Sequence, residues 1–209
     1  SSNNLSNVAA FLREIAPSDF QTIGDLENVA LNKVSVSSSE LQVGLDLGPA
    51  QANDGNRDGD IGGGSLTHTD FDSQAFWQVD LGGSFDLARI EIYNREDCCA
   101  EALANFHVLI SDQPFVSDSL SATLAQPGVT NLYSAGEAGR TTVLNVGRTG
   151  RFVRVQLSGT EYLQLAEVEV YGTPAAGGPT NFPPSLMNPG DQATVVGSGV
   201  SLALQASDL

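Results

Sequence analysis

From residue 29 to 172 the apolar residues fall in short alternating runs, divided by clusters of Gly, Asp, Asn and Ser. The clearest runs are Phe76–Leu81, Ala88–Tyr93, Phe106–Ser111, Thr141–Val146, Phe152–Leu157 and Val168–Tyr171. A period of two sends alternate side chains to opposite faces, so each run predicts a half-buried strand. Short strands at regular spacing with turn residues between them predict an all-β fold, an antiparallel sandwich or barrel.

The two ends of the chain have a different texture. In residues 6–15 (SNVAAFLREI), Val8, Phe11, Leu12 and Ile15 form an apolar stripe at helical spacing. Ser6 or Asn7 is placed to cap this predicted helix and Pro17 to stop it. Residues 173–184 (TPAAGGPTNFPP) hold four of the nine prolines and predict a semi-extended linker. Beyond it, alternation at Val200, Leu202, Leu204 and Ala206 predicts further strands, too few to bury a core alone. That stretch is similar to the opening strands of immunoglobulin- or cadherin-like modules. The expected organisation is an N-terminal segment over 1–27, a β domain over 28–172, a linker over 173–184 and a truncated second module over 185–209. This arrangement implies a part of a larger multimodular chain.

Composition narrows the function. Nine Lys and Arg against 25 Asp and Glu leave a net charge of −16. No basic stripe is available for phosphates, so nucleic acid is excluded as a partner. A hydrophobic content of 41% suffices for a core. No apolar run approaches the roughly 20 residues of a membrane span. Two cysteines rule out a disulfide-dense miniprotein and an all-thiolate zinc site. No serine–histidine or cysteine–histidine arrangement stands out, and a small sandwich has little room for a deep catalytic cleft, so the expected class is a binding module and not an enzyme.

Three short stretches carry candidate chemistry. Asp54-Gly-Asn56-Arg-Asp58-Gly-Asp60 places oxygen side chains at every second position, as a hard cation requires. It starts like an EF-hand loop but has Ser65 where a bidentate acid belongs, followed by no helix-forming segment. A calcium loop of another kind and a merely solvated acidic turn both remain open. Cys98 and Cys99 are adjacent, with Cα atoms about 3.8 Å apart, below the usual disulfide range of about 4.4–6.8 Å. They are either bridged in a rigid ring with a polarizable sulfur face or two free thiols. Arg95 and Asp97 would share a face if they lay on a strand, where the carboxylate would orient the guanidinium; the alternative is a plain surface ion pair. His68 follows Gly62-Gly63-Gly64 as a lone loop histidine. His107 is expected to face away from the core and is assigned no role.

Taken together, these pieces resemble the F-type lectin (fucolectin) family, whose modules are discoidin-like, jelly-roll type β-sandwiches. The resemblance covers about 28–172 and rests on DGNRDGD, FWQVDLG, IEIYNREDCC, NFHVLISDQPF, GRFVRVQL and LAEVEVYG. The family's sugar motif is a His, an R-x-D after 26 intervening residues, and a second basic residue four further on. His68, Arg95 and Asp97 match it, and Cys98-Cys99 matches the family's vicinal disulfide; the second basic position is Ala102. The resemblance implies a secreted or cell-surface module that binds terminal α-L-fucose on glycans. His68 and Arg95 would hydrogen-bond the hydroxyls while the disulfide packs on the ring. Ala102 would weaken the affinity or alter the specificity. It also implies a structural Ca2+ held by Asp54, Ser65 and Glu167 side chains and by backbone oxygens of Gln51, Asn56 and Ala166. Fucosylated glycans are the expected partners; a non-sugar adhesion module is the alternative. The family often sets an aromatic beside the sugar methyl, and there this chain offers only Gly62-Gly63-Gly64.

Overall fold

The structure, a computed structural model, describes residues 26–175 and the dipeptides Ser185–Leu186 and Ala206–Ser207, which pair with each other. The helix expected over 6–15, and most of 173–184 and 185–209, lie outside the described residues. In chain order the strands of the body are β1 (Glu27–Asn28), β2 (Val34–Ser37), β3 (Thr67–His68), β4 (Asp72–Ser73), β5 (Phe76–Tyr93), β6 (Ala104–Ser111), β7 (Thr130–Glu137), β8 (Thr141–Leu157), β9 (Thr160–Glu161), β10 (Gln164–Leu165) and β11 (Glu167–Pro174). Among the described residues one short α-helix, α1 (Leu120–Ala125), sits between β6 and β7.

The long pair β5 and β8 organises the whole. Phe76–Asp80 pairs with Phe152–Gln156, and Phe85–Tyr93 pairs with Thr141–Gly150. β2, β6 and β7 extend the first half of this ladder, and β11 and β1 extend the second. All pairings are antiparallel, and the ribbon folds over itself into the expected β-sandwich. Phe76–Leu81 and Ala88–Tyr93 are therefore one strand and not two. Gly82-Gly83-Ser84 reads as turn chemistry, but it takes a bend that carries the chain from one layer to the other. Gly82 adopts a φ of 82°, in the left-handed region that favours glycine.

One residue sets which side chains enter the second layer. Trp77, Val79, Leu81, Phe85 and Leu87 point inward on odd positions, whereas Ile90 and Ile92 do so on even ones. The switch occurs at Ala88, an extra residue between the Leu87↔Gly172 and Arg89↔Tyr171 pairs. A bulge of one residue inverts the alternation and so keeps the apolar face inside. With Val153, Val155, Val168 and Val170 these residues form the single large core. Arg89, Glu91 and Tyr93 are thereby turned outward.

α1 and β7 were not expected. Six residues are too few to display a helical period, and β7 alternates half-buried with exposed positions over only part of its length. β11 runs to Pro174, two residues past Gly172. Among the described residues no helix is long and apolar enough to cross a membrane. At the end of the sandwich where β5 leaves the sheet, β3 and β10 pair with each other and the loop 94–103 folds over them.

Candidate functional site

At this end His68, Arg95, Cys99 and Ala102 line one open depression of about 370 Å³, with Leu41, Glu101, Glu161, Tyr162 and Gln164 completing its wall. His68 lies on a strand and not in a free loop. Its backbone is held on three sides: its N–H donates to Leu47 O, its carbonyl accepts from Leu41 N–H at 2.9 Å, and its β10 partner is Gln164. The residue is buried, and its ring lies 2.7 Å through Nδ1 from Thr69 O. A carbonyl only accepts, so Nδ1 carries the proton and Nε2 is left with a lone pair. Burial pushes the His68 pKa below its usual 6.5, and the Arg95 charge adds to the effect. The ring is therefore a neutral hydrogen-bond acceptor at physiological pH.

Arg95 is buried and directed by its neighbours. Its Nε and Nη2 donate to the two Asp97 carboxylate oxygens at 2.6 and 3.0 Å, and Nη1 donates to Gln164 Oε1 at 3.2 Å. The Arg95 guanidinium holds the Asp97 carboxyl below its usual range. Three of five guanidinium N–H bonds are thus engaged, which leaves one on each terminal nitrogen for a ligand. The two residues sit in a loop and not on a strand; the carboxylate reaches back because Asn94 pins the loop. Buried Asn94 accepts from Arg95 N–H at 2.8 Å and donates to Ala100 O at 2.9 Å.

Cys98 and Cys99 are joined as a disulfide. Cys99 has a φ of 57°, precedes the short 3-10 turn Ala100–Ala102, and lines the depression, whereas Cys98 does not. Ala102 lines the wall on the same side. Among the described residues no other arginine takes the place of a second basic group. Arg89 is committed to Glu91 and the Tyr171 ring, and Arg148 to Asp112, Gly128 O and Thr130. Arg95 is thus the one cation lining this depression among the described residues.

The apolar part of the wall comes from Leu41 and Tyr162, and Gly62-Gly63-Gly64 does not line it. The Tyr162 ring meets His68 edge-on, with centroids 5.3 Å apart. Sequence reasoning missed Leu41, Tyr162 and Gln164, because long-range pairing brings them here and no local motif marks them. His107 faces outward as expected, bonded to Asn131 and Ser158, and does not line this wall.

The acidic loop has two jobs. Asn56, Asp58, Asp60 and Gly62 N–H groups donate in turn to the side chains of Asp54, Asn56, Asp58 and Asp60, each two residues earlier, at 2.7–3.2 Å. The alternating oxygens thus build consecutive Asx turns. Only Asp54 also looks toward the sheet. Ser65 Oγ lies 3.1 and 3.2 Å from its carboxylate oxygens and donates to Asn56 O at 2.8 Å. Fully buried Glu167 accepts from Gly55 N–H through Oε1, while its Oε2 has no partner. Burial, with Asp54 and Glu169 adding charge repulsion, pushes the Glu167 carboxyl up to about 8. An orphaned buried carboxylate oxygen beside a second acid, a hydroxyl and a backbone carbonyl is a donor set that fits a hard cation. Gln51 lies in the turn Pro49–Asn53, and Ala166 lies between β10 and β11.

The loop also braces the site. Glu96 N–H donates to Gly59 O at 2.9 Å, and a Cβ on Gly59 would sit 2.6 Å from Glu96 Cγ and 2.9 Å from Asn94 O. Arg57 reaches across to β11 with a two-pronged pair to Glu169 at 2.6 and 2.8 Å, its guanidinium over the Tyr93 ring.

A β-sandwich with polar groups gathered at its loop end is the frame of a discoidin-like domain. The profile of the NedA-like, galactose-binding domain family matches residues 51–155. Fucolectin-5 of Anguilla japonica is 38% identical over 147 residues, covering 69% of this chain and 75% of that protein. A fucose binding module of Streptococcus pneumoniae superposes with a TM-score of 0.60 at 30% identity, covering 70% of this chain and 96% of that one. A fucolectin from striped bass (Morone saxatilis) serum gives a TM-score of 0.59 at 32% identity, covering 71% of this chain and 49% of that one. The chain belongs to the fucolectin family of F5/F8 type C, discoidin-like domains. These relatives are lectins and carbohydrate-binding modules, which are not catalysts.

Proposed function

We propose that this depression binds the terminal α-L-fucose of extracellular glycans. The observation that carries the reading is the convergence of His68, with its neutral imidazole, Arg95, with two guanidinium N–H bonds not engaged by Asp97 or Gln164, and the disulfide-bonded Cys99 on one small open hollow. Neutral sugar hydroxyls both donate and accept, so a pocket with His68 Nε2 as acceptor and Arg95 as donor satisfies adjacent hydroxyls without a charged ligand. The sulfur pair and Leu41 receive the apolar part of the ring and its methyl. Asp97 and Gln164 hold the guanidinium in position. Ala102 leaves a gap where a second cation would complete the polar edge, so this site binds more weakly than one with two basic residues.

Ca2+ is the cation we assign to the cradle of Asp54, Ser65 and Glu167, with backbone oxygens of Gln51, Asn56 and Ala166. When bound, it would neutralise two acids that otherwise repel each other. Its role is to fix the loop; the sugar is held by the residues named above. The experiment is calorimetric titration of methyl α-L-fucoside, with D-glucose as control. Saturable binding of the fucoside that Arg95→Lys abolishes supports the reading. Absence of any heat, or equal binding of both sugars, overturns it.

A further inference from the structure

The wall of the depression continues outward as a row of aromatic rings. Tyr162 meets His68 at 5.3 Å on one side and Phe71 at 5.2 Å on the other. Exposure rises along the row, from 5% at His68 to 36% at Tyr162 and 55% at Phe71. One local ladder builds it. β4 and β9 pair Asp72 with Glu161, which sets Phe71 and Tyr162 side by side at the end of the ladder. Thr69 N–H donates to Leu163 O at 3.0 Å, Leu163 N–H donates to Thr69 Oγ1 at 2.9 Å, and Gln164 then pairs with His68. Phe71 takes no part in either apolar core. A rigidly placed phenylalanine that is more than half exposed leaves much of its ring surface in water.

The polar groups flanking the row are acidic. Glu161 lines the depression and engages only Oε1, with its own neighbour's N–H; the Asp70 charge is felt at His68. A pyranose has one face of C–H groups and a rim of hydroxyls. An aromatic ring takes the first, and carboxylates accept from the second while repelling acidic sugars. We infer that Phe71 and Tyr162 form a second saccharide subsite. It takes a neutral pyranose linked to the sugar held at His68 and Arg95, and it rests on that pocket being the saccharide site.

Two probes separate the subsite from the pocket: methyl α-L-fucoside and a neutral trisaccharide ending in α-L-fucose. Each is titrated into the unaltered chain, Phe71→Ala and Phe71→Trp. The trisaccharide is expected to bind roughly three- to tenfold tighter than the fucoside. Phe71→Ala removes that advantage and leaves fucoside affinity unchanged, and Phe71→Trp keeps it. If the advantage survives in Phe71→Ala, or is missing from the unaltered chain while the fucoside binds, the subsite is overturned and the pocket stands. If neither probe binds the unaltered chain, the pocket reading falls and the subsite falls with it.

Discussion

Arg95 is a donor fork set by its neighbours: Asp97 fixes two of its N–H bonds and Gln164 a third, which leaves two on a residue that lines the hollow. Ala102 stands at the edge of that hollow with no charge to offer. A hydrogen bond to a charged partner contributes about 1.5–3 kcal/mol, roughly ten- to a hundredfold in affinity. Ala102→Arg is therefore expected to raise methyl α-L-fucoside affinity about tenfold or more, read by calorimetry; no gain would mean that position 102 does not face the sugar. His68 sets the pH response. Its pKa lies below 6.5, so at pH 6.5 and above most rings keep Nε2 unprotonated and able to accept. Further acidification protonates Nε2 and removes the acceptor. Fucoside affinity should fall on acidification with a midpoint below pH 6.5. A midpoint at or above 6.5 would contradict the assigned neutral ring.

At the scale of elements, the site depends on the acidic loop bracing the loop that carries Arg95. Gly59 is where they touch, and any side chain there collides with Glu96 and with the Asn94 carbonyl. Forced overpacking costs about 1–3 kcal/mol. Gly59→Ala should lower both the unfolding free energy and fucoside affinity, measured by denaturant titration and calorimetry; unchanged affinity would show that the two loops are uncoupled. This scale also marks the limit of what the sequence made legible. The meeting of His68, Arg95, Cys99 and Ala102 in one hollow was readable because their spacing along the chain is itself the signal. Leu41, Tyr162, Gln164 and Phe71 were not. They arrive through the β3–β10 and β4–β9 pairings of two residues each, too short to leave a periodic trace. The strand alternation exposed the sandwich, yet glycines at 82 and 83 concealed that β5 is continuous, because bend and turn use the same residues. The oxygen spacing of residues 54–60 suggested a chelating loop, whereas most of those side chains cap their own backbone.

In the whole molecule, the acidic balance and the cradle at Glu167 act together. A chain with a net charge of −16 keeps a fully buried carboxyl oxygen without a partner next to Asp54. A cation binding only the folded state at a hundred times its dissociation constant stabilises by about 2.7 kcal/mol, which for a chain of this size raises Tm by roughly 5–10 °C. Exhaustive chelation should lower Tm by that order, and Glu167→Gln should abolish the difference between calcium and chelator. An identical melt with and without chelator would remove the ion from the account.

The central claim is that imidazole, guanidinium and linked sulfurs hold one neutral sugar. It is tested most directly by a crystal structure of the chain with methyl α-L-fucoside at a concentration that saturates it in solution. The account predicts a pyranose lying on Cys98–Cys99, with its hydroxyls within hydrogen-bonding distance of His68 Nε2 and the Arg95 terminal nitrogens. A sugar seated elsewhere on the molecule, with this hollow holding only water, would contradict it.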